Sequence, residues 1–435
     1  MYRPSFSLRQ GDCLEILKGM DDASIDSVVT DPPYGLSNHS SEQVAECLAA
    51  WIAGEPYQPT GRGFMGKAWD AWVPGPEVWR ECLRVLKPGG HLLCFAGTRS
   101  MDLMSMAVRL AGFELRDAIG YANDGCGAPL MAWTYGSGFP KSHNLQGEHA
   151  GLGTALKPAW EPIVLARKPL SGTVVETVEA YGTGALNIDA CRVAAEPMRP
   201  NSGGGGMPRH HEEEARGAGT ISQPHELGRW PANLIHDGSP EVVRHFPDTA
   251  GQQGDIVGHN KERESPNGTF GKFGPARDFE ARQDAEKSAA RFFYCAKAST
   301  SERNEGMDHM PDAVLARSCL AQTNAAKGIT SERAGGSFNV ARITKNNHPT
   351  VKPVELMAYL CRLVTPPNGT VFDPFAGSGS TGVAALRENF NFVGCEQSSD
   401  YVAIARARIE YELNKPKQGA LFGDELGLCP DAANL

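Results

Sequence analysis

The chain has 435 residues, a mass of 46.7 kDa, a formal charge of −9 and a pI near 5.8. Hydrophobic residues at 41% and charged residues at 21% are those of an ordinary globular protein, which excludes disorder along the whole chain. No run approaches the ~20 apolar residues of a membrane span, and the net acidity excludes a generic nucleic-acid coat while leaving room for one local basic groove. Met1-Tyr2-Arg3-Pro4 leads into no apolar signal core. The eleven cysteines lie scattered from Cys13 to Cys429 with no C-x-x-C pair. They are expected to be reduced thiols of a cytoplasmic protein, with no metal site.

In chain order, Ile25 to Thr30 reads as a buried strand stopped by Asp31-Pro32-Pro33. Ser41 to Ile52 has apolar Val44, Leu48 and Ile52 on one helical face. Trp79, Leu83 and Leu86 mark a second helix, with Pro88-Gly89-Gly90 as its stop. His91 to Ala96 is a strand, and Met101 to Ala111 a helix with Gly112 in the C′ position. Leu115 to Tyr121 is a further strand. This βαβα rhythm predicts a largely parallel sheet covered by helices. The rhythm breaks from about Asn123 to Asn347, where strand signals are short; Glu161 to Ala166 and Phe292 to Ala296 are the clearest. Gly203 to Gly206 and the following Pro208 to Glu214 read as an exposed loop. The rhythm returns with a helix at Val354 to Val364, a strand at Thr370 to Asp373 and a helix at Ser380 to Arg387. A strand at Phe392 to Glu396 and a helix at Asp400 to Leu413 complete it. An α/β domain split by a long insertion is therefore expected, with residues 1–170 and 345–415 forming the domain. Residues 171–344 are the insertion, and 416–435 a loosely ordered tail.

Two motifs carry chemistry. Phe372-Asp373-Pro374-Phe375-Ala376-Gly377-Ser378-Gly379-Ser380-Thr381-Gly382 joins a strand to a helix, and its glycines let backbone approach a ligand. Alone, G-x-G-x-x-G fits either a dinucleotide loop or a plain tight turn. Glu396 ends the next strand, where a carboxylate can take both ribose hydroxyls of an adenosine cofactor. The second motif is Thr30-Asp31-Pro32-Pro33-Tyr34-Gly35. Its two prolines hold an extended loop. Asp31 and the Pro32 carbonyl are acceptors for the two N–H groups of an exocyclic amine, and Tyr34 offers a flat face. Gly61 to Lys67 looks like a phosphate loop, but Ala68 stands where Ser or Thr is needed and no strand precedes it, so a nucleoside triphosphatase is not expected.

Asp-Pro-Pro-Tyr together with Asp-Pro-Phe-Ala-Gly-Ser-Gly resembles the S-adenosylmethionine-dependent DNA amino-methyltransferases of adenine N6 and cytosine N4. The order, with Asp-Pro-Pro-Tyr first and the glycine loop last, resembles the β class. Gly11-Asp12-Cys13, placed before the first strand, and the turn Arg84 to Gly90 resemble further motifs of that class, as does His348-Pro349-Thr350-Val351-Lys352-Pro353. The stretches Tyr135 to Lys141 and Gly228 to Asn233 resemble phage- and prophage-type members. The resemblance implies a Rossmann-like methyltransferase sheet of the seven-stranded type, with permuted motif order and residues 171–344 as a target-recognition insertion.

It also implies roles. A base flipped from duplex DNA would meet Asp31, Pro32, Pro33 and Tyr34 as the catalytic loop. S-adenosylmethionine would be held by Asp12 at its adenine amine, by the Cys13 backbone, and by Asp31, Asp373, Phe375, Gly377, Ser378 and Gly379, with Glu396 on ribose. Thr350 and Lys352 would lie near the methionine carboxylate, unless Lys352 is a solvated charge. No covalent intermediate is needed, and the chain lacks the Pro-Cys dipeptide of cytosine-C5 methylation. The implied partner is double-stranded DNA, and a homodimer is expected by resemblance.

The insertion supplies the candidate DNA contacts. Residues 151–345 hold 23 Lys and Arg against 24 Asp and Glu, so the acidity sits in the flanks. Lys272 and Arg277 belong to a run of interleaved bases, and Arg229 and Lys141 to the phage-like stretches. Lys67 and Trp69 follow the catalytic motif closely. Seven histidines lie in the insertion, including His210-His211, without a paired ligand group for a metal. The expected activity is methylation of adenine N6 in duplex DNA, since Asp precedes Pro-Pro-Tyr. Cytosine N4 is the alternative, and a non-catalytic nucleic-acid-binding module on the same fold is the rival of a different class.

Overall fold

The computed structural model describes residues 2–36, 39–59, 68–117, 130–135, 147–156, 159–195, 226–248, 288–296, 301–315 and 341–415, with short pieces at 201–202, 221–222, 263–264, 272–273, 325–326 and 330–331. Ten strands form the main sheet: β1 (Phe6–Gln10), β2 (Ile25–Thr30), β3 (Leu86–Phe95), β4 (Glu114–Asp117) and β5 (Leu130–Thr134), then β6 (Trp160–Arg167), β7 (Leu234–His236), β8 (Tyr294–Cys295), β9 (Thr370–Asp373) and β10 (Asn391–Glu396). Their spatial order is β1-β10-β9-β2-β3-β6-β5-β7-β8, with β4 beside β6. Every pair is parallel except those made by β6, which runs against β3, β4 and β5.

The longer helices of the described residues are α1 (Cys13–Lys18), α2 (Ser41–Ala53), α3 (Pro76–Val85), α4 (Met101–Leu110), α5 (Val174–Tyr181), α6 (Val354–Val364), α7 (Ser380–Arg387) and α8 (Ser399–Asn414). Local chemistry sets their ends. Asp12 caps α1, Ser40 and Gln43 form a capping box on α2, and Thr173 with Glu176 does the same for α5. Alternation along the strands sends Val28, Leu92, Cys94 and Val164 to the core under α1–α4, and Val29, Leu93, Phe95 and Leu165 to the core under α6 and α7. Each fully buried large side chain of this kind contributes about 1.5–3 kcal/mol. The result is a three-layer α/β/α fold.

Three expectations change. A strand, β1, precedes Gly11; its single buried residue, Leu8, gives an edge strand too little apolar pattern to show in the sequence. The second helix ends at Val85, and β3 begins at Leu86 and absorbs Pro88-Gly89-Gly90, with a register shift against β2. Part of the 171–344 interval is also integral to the main sheet. Helix α5 is followed by Thr183, whose hydroxyl donates to the Pro88 carbonyl at 2.6 Å, and β7 and β8 extend the sheet beyond β5. Three-residue β7 gives little periodicity and reads as loop, whereas β8 falls within the strand expected at Phe292 to Ala296. Residues 203–214 and the tail beyond 415 lie outside the described residues. The described cysteines are free thiols, and among the described residues no helix is long and apolar enough to cross a membrane.

Candidate active site

The parallel strands β1, β10, β9, β2 and β3 end on one side of the sheet, where open α/β sheets form their ligand crevice. A cavity of about 1310 Å³ lies there. Its walls come from Gly11-Asp12-Cys13 after β1, Asp31 to Tyr34 after β2, Asp373 to Ser378 after β9, and Glu396 to Ser398 after β10. Trp133, Tyr135 and Trp160 face it from the β5–β6 side, and Tyr57, Trp69 and Trp72 from the α2–α3 connection.

The Asp31–Tyr34 loop is held rigidly. Asp70 Oδ1 accepts from the Tyr34 and Gly35 amides at 2.9 and 3.0 Å, and the Ser100 hydroxyl donates to the Tyr34 carbonyl. Gly35 has φ +61°, and a Cβ there would lie 2.9 Å from the Trp72 backbone. Only glycine makes this turn without strain. Among the described residues no hydrogen bond engages the Pro32 carbonyl.

Four side chains from three distant segments meet at this loop. The Lys352 ammonium is 3.0 Å from Asp31 Oδ1 and 2.9 Å from Glu161 Oε2, and donates to the Tyr34 hydroxyl at 3.0 Å. The Tyr34 hydroxyl lies 2.7 Å from Asp31 Oδ1 and 3.1 Å from Glu161 Oε2; its one proton serves one carboxylate at a time. Lys352 also sits 4.8 Å from the centre of the Phe95 ring. Burial raises the Asp31 carboxyl, with Lys352 opposing and Glu161 adding to the rise. Burial alone would lower Lys352, but Asp31 and Glu161 outweigh it and hold the ammonium protonated. The Tyr34 phenol is pushed well up by burial and the two carboxylates.

The glycine loop is built differently, from backbone amides and carboxylates. Asp373 accepts from the Thr30 and Thr381 hydroxyls, each at 2.6 Å, and from the Phe375 amide at 3.0 Å. Burial lifts it to about 6. Glu396 Oε2 accepts from the Gly377 amide at 2.9 Å, and Oε1 from the Ser398 amide at 2.8 Å. Burial raises Glu396 despite these bonds. Gly377 has φ +50°, and a Cβ there would meet His348 Nε2 at 2.9 Å. The His348 ring is lowered to about 3 by burial, so it stays neutral. Buried Arg408 donates to the Ser378 carbonyl at 2.6 Å. Asp12 spends Oδ1 on the Leu14 and Glu15 amides, and the Cys13 thiol is pushed up to about 12 by burial, which leaves it inert.

The sequence-predicted residues Asp12, Cys13, Asp31, Pro32, Pro33, Tyr34, Thr350, Lys352, Asp373, Phe375, Gly377, Ser378 and Glu396 all line this one cavity, and Gly379 closes the loop behind it with φ +78°. Lys352 departs from the solvated-charge reading made for it. It is only 8% exposed, so it is no solvated charge, and its ammonium is spent on Asp31, Glu161 and Tyr34. Trp69 lines the cavity, 40% exposed. Lys67, Lys141 and Arg277 lie outside the described residues. Lys272 sits in a two-residue ribbon against 263–264. Arg229 precedes β7, on the end of the sheet away from the cavity. Its backbone pairs with Val193 and its guanidinium lies 4.7 Å from the Phe292 ring centre. Glu161, Asp70 and His348 received no role from the sequence. Glu161 was legible only as one position in a strand, and no local pattern ties residue 161 to 31 or 352.

Residues 25–407 match the model of the N6_N4_Mtase family, described as DNA methylase. The chain belongs to that family. Shorter stretches match curated methylases. One is the type II methyltransferase M2.DpnII of Streptococcus pneumoniae, 42% identical over 65 residues, which are 15% of this chain and 24% of that protein. Another is M2.LlaDCHI of Lactococcus lactis subsp. cremoris, 40% identical over 76 residues, 18% of this chain and 26% of that one. The chain thus spans about a quarter of the length of these two relatives. Among solved structures, the PvuII DNA methyltransferase, cytosine-N4-specific, aligns over 94% of this chain and 87% of its own, at 13% identity and a TM-score of 0.38.

Proposed function

We propose that this DNA methylase transfers a methyl group from S-adenosylmethionine to adenine N6 of a base extruded from duplex DNA. The observation that carries the reading is one cavity with two chemically distinct ends: the Asp31–Tyr34 loop after β2 and the Gly377–Glu396 edge after β9 and β10. The residues at the second end fit the cofactor. Each Glu396 oxygen takes one amide and keeps a lone pair for a ribose hydroxyl. Exposed Asp12 suits an adenine amine, and Gly377, with no room for a side chain, brings bare backbone to the wall. Phe375, Ser378, Gly379 and Thr350 would complete the hold; Asp373, with three donors already, shapes the loop. When bound, S-adenosylmethionine supplies a methyl group activated on a positively charged sulfur.

The chain's own residues then bind and orient the base. Asp31 and the Pro32 carbonyl accept the two amine protons, Pro33 keeps the loop extended, and the Tyr34 ring stacks on the base. Holding the amine in line removes much of the entropic barrier, and the carboxylate stabilises the positive charge that grows on nitrogen. Trp69 is a candidate contact for the extruded nucleotide, with duplex DNA as the partner and a homodimer in the cytoplasm as the working setting.

The test is incubation of the full chain with unmethylated genomic duplex DNA and labelled S-adenosylmethionine, followed by modified-base analysis. N6-methyladenine at a defined sequence is expected. N4-methylcytosine would move the reading to the alternative base, and no methylated product would favour the binding-module rival.

A further inference from the structure

Lys352 is paired with two carboxylates, although Asp31 alone would neutralise it. A buried ammonium with one counter-ion is a trap for chemistry: if that carboxylate takes a proton, the cation is left uncompensated, at a cost of several kcal/mol. Asp31 stands in that position. Glu161 changes the outcome. It lies on β6, pinned in register opposite Trp133 and next to the Ala96-to-Pro162 backbone bond of 2.9 Å. Its Oε2 is 2.9 Å from Lys352 Nζ and 3.1 Å from the Tyr34 hydroxyl.

We propose that Glu161 is a positioning residue for proton removal from the methylated amine: it keeps a counter-ion on Lys352 while Asp31 accepts the proton. The inference rests on the methyl-transfer reading above. On gaining the methyl group the amine carries a positive charge. Its N–H bond breaks, the electron pair stays on nitrogen, and the proton bonds to an Asp31 carboxylate oxygen. Lys352 keeps all its protons throughout, and Glu161 holds it until Asp31 gives its proton to water. Two carboxylates against one ammonium also leave the resting site with one net negative charge. The groups facing Asp31 are Lys352, Glu161 and Tyr34, with Asp373 and Cys94 at longer range, and Tyr135 faces Glu161.

The deciding variant is Glu161→Gln, which keeps an acceptor for Tyr34 and removes the charge. Carboxyl-carbon NMR of the free protein, with Asp31→Asn to assign the signal, reads the Asp31 titration directly. It is expected to move to lower pH in Glu161→Gln, because Lys352 then serves Asp31 undivided. With genomic duplex DNA and labelled S-adenosylmethionine, kcat is expected to fall on the order of 10- to 100-fold, cofactor affinity by calorimetry to stay unchanged, and the acid limb of the rate profile to shift with the NMR signal. Should Glu161→Gln not fold, Glu161→Asp carries the test, with an intermediate kcat expected. Wild-type kcat in the variant, or an Asp31 titration that does not move, overturns the inference alone. A wild-type chain that methylates nothing overturns the functional reading, and the inference with it.

Discussion

The two ends of the cavity are held by different kinds of interaction. The glycine-loop end is largely a backbone structure: Glu396 and Asp373 accept amides and hydroxyls from the loops themselves, the first turn of α7 and the adjoining strand β2. The Asp31 end is a side-chain structure, in which residues 31, 34, 161 and 352 share one ammonium. Backbone-built sites tolerate single side-chain changes better, because most of their donors survive. A buried charge cluster does not, since removing one member leaves another unpaired.

Breaking the Asp31 end should therefore cost more. Asp31→Ala is expected to reduce kcat by at least about 1000-fold with cofactor affinity by calorimetry largely retained; turnover near wild type would end the catalytic assignment. Lys352→Met should lower kcat about 100-fold. It should also destabilise the fold by about 3–5 kcal/mol, seen in denaturant unfolding, because Asp31 and Glu161 would repel one another in a buried site. At the other end the effects should be smaller and fall on binding. Glu396→Ala is expected to weaken the cofactor roughly 10- to 100-fold in Kd, losing about 1.5–3 kcal/mol of charged hydrogen bonding, with kcat at saturation much less affected. Gly377→Ala should weaken it about tenfold by pressing on His348 and straining a positive φ. A separate effect is on pH. Asp373, near 6 in the fold against an ordinary 3.8, binds its proton more tightly folded than unfolded. Its contribution to stability is thus fully present below pH ~4 and declines by about 3 kcal/mol as pH rises to ~6. A flat Asp373 carboxyl signal between pH 4 and 7 would contradict this.

The same contrast explains what the sequence disclosed. Elements with strong local signals, apolar strands bounded by turn residues and helices with an apolar face, were legible to the residue: Ile25–Thr30, Val354–Val364, Thr370–Asp373 and Ser380–Arg387. The glycine loop was legible because its chemistry is local, a strand, a tight turn and a helix within eleven residues. Edge strand β1 and the short β7 were not, since their pairing partners, not their own residues, make them strands. Glu161 was invisible for a related reason. It sits 130 residues from Asp31 and 191 from Lys352 in the chain, and only the antiparallel return of β6 beside β3 brings it to them. The same distance concealed the partners of Lys352, Asp31 and Glu161.

The shared ammonium has a chemical consequence of its own. An amine reacts with acylating or reductive-alkylating reagents only through its free base and only where reagent can reach it. Lys352 is 8% exposed and held in its protonated form by two carboxylates. On the proposed reading it is a nucleophile kept silent in a site that would handle an electrophilic methyl group, so a lysine can stand beside the reaction centre without becoming a substrate for that chemistry.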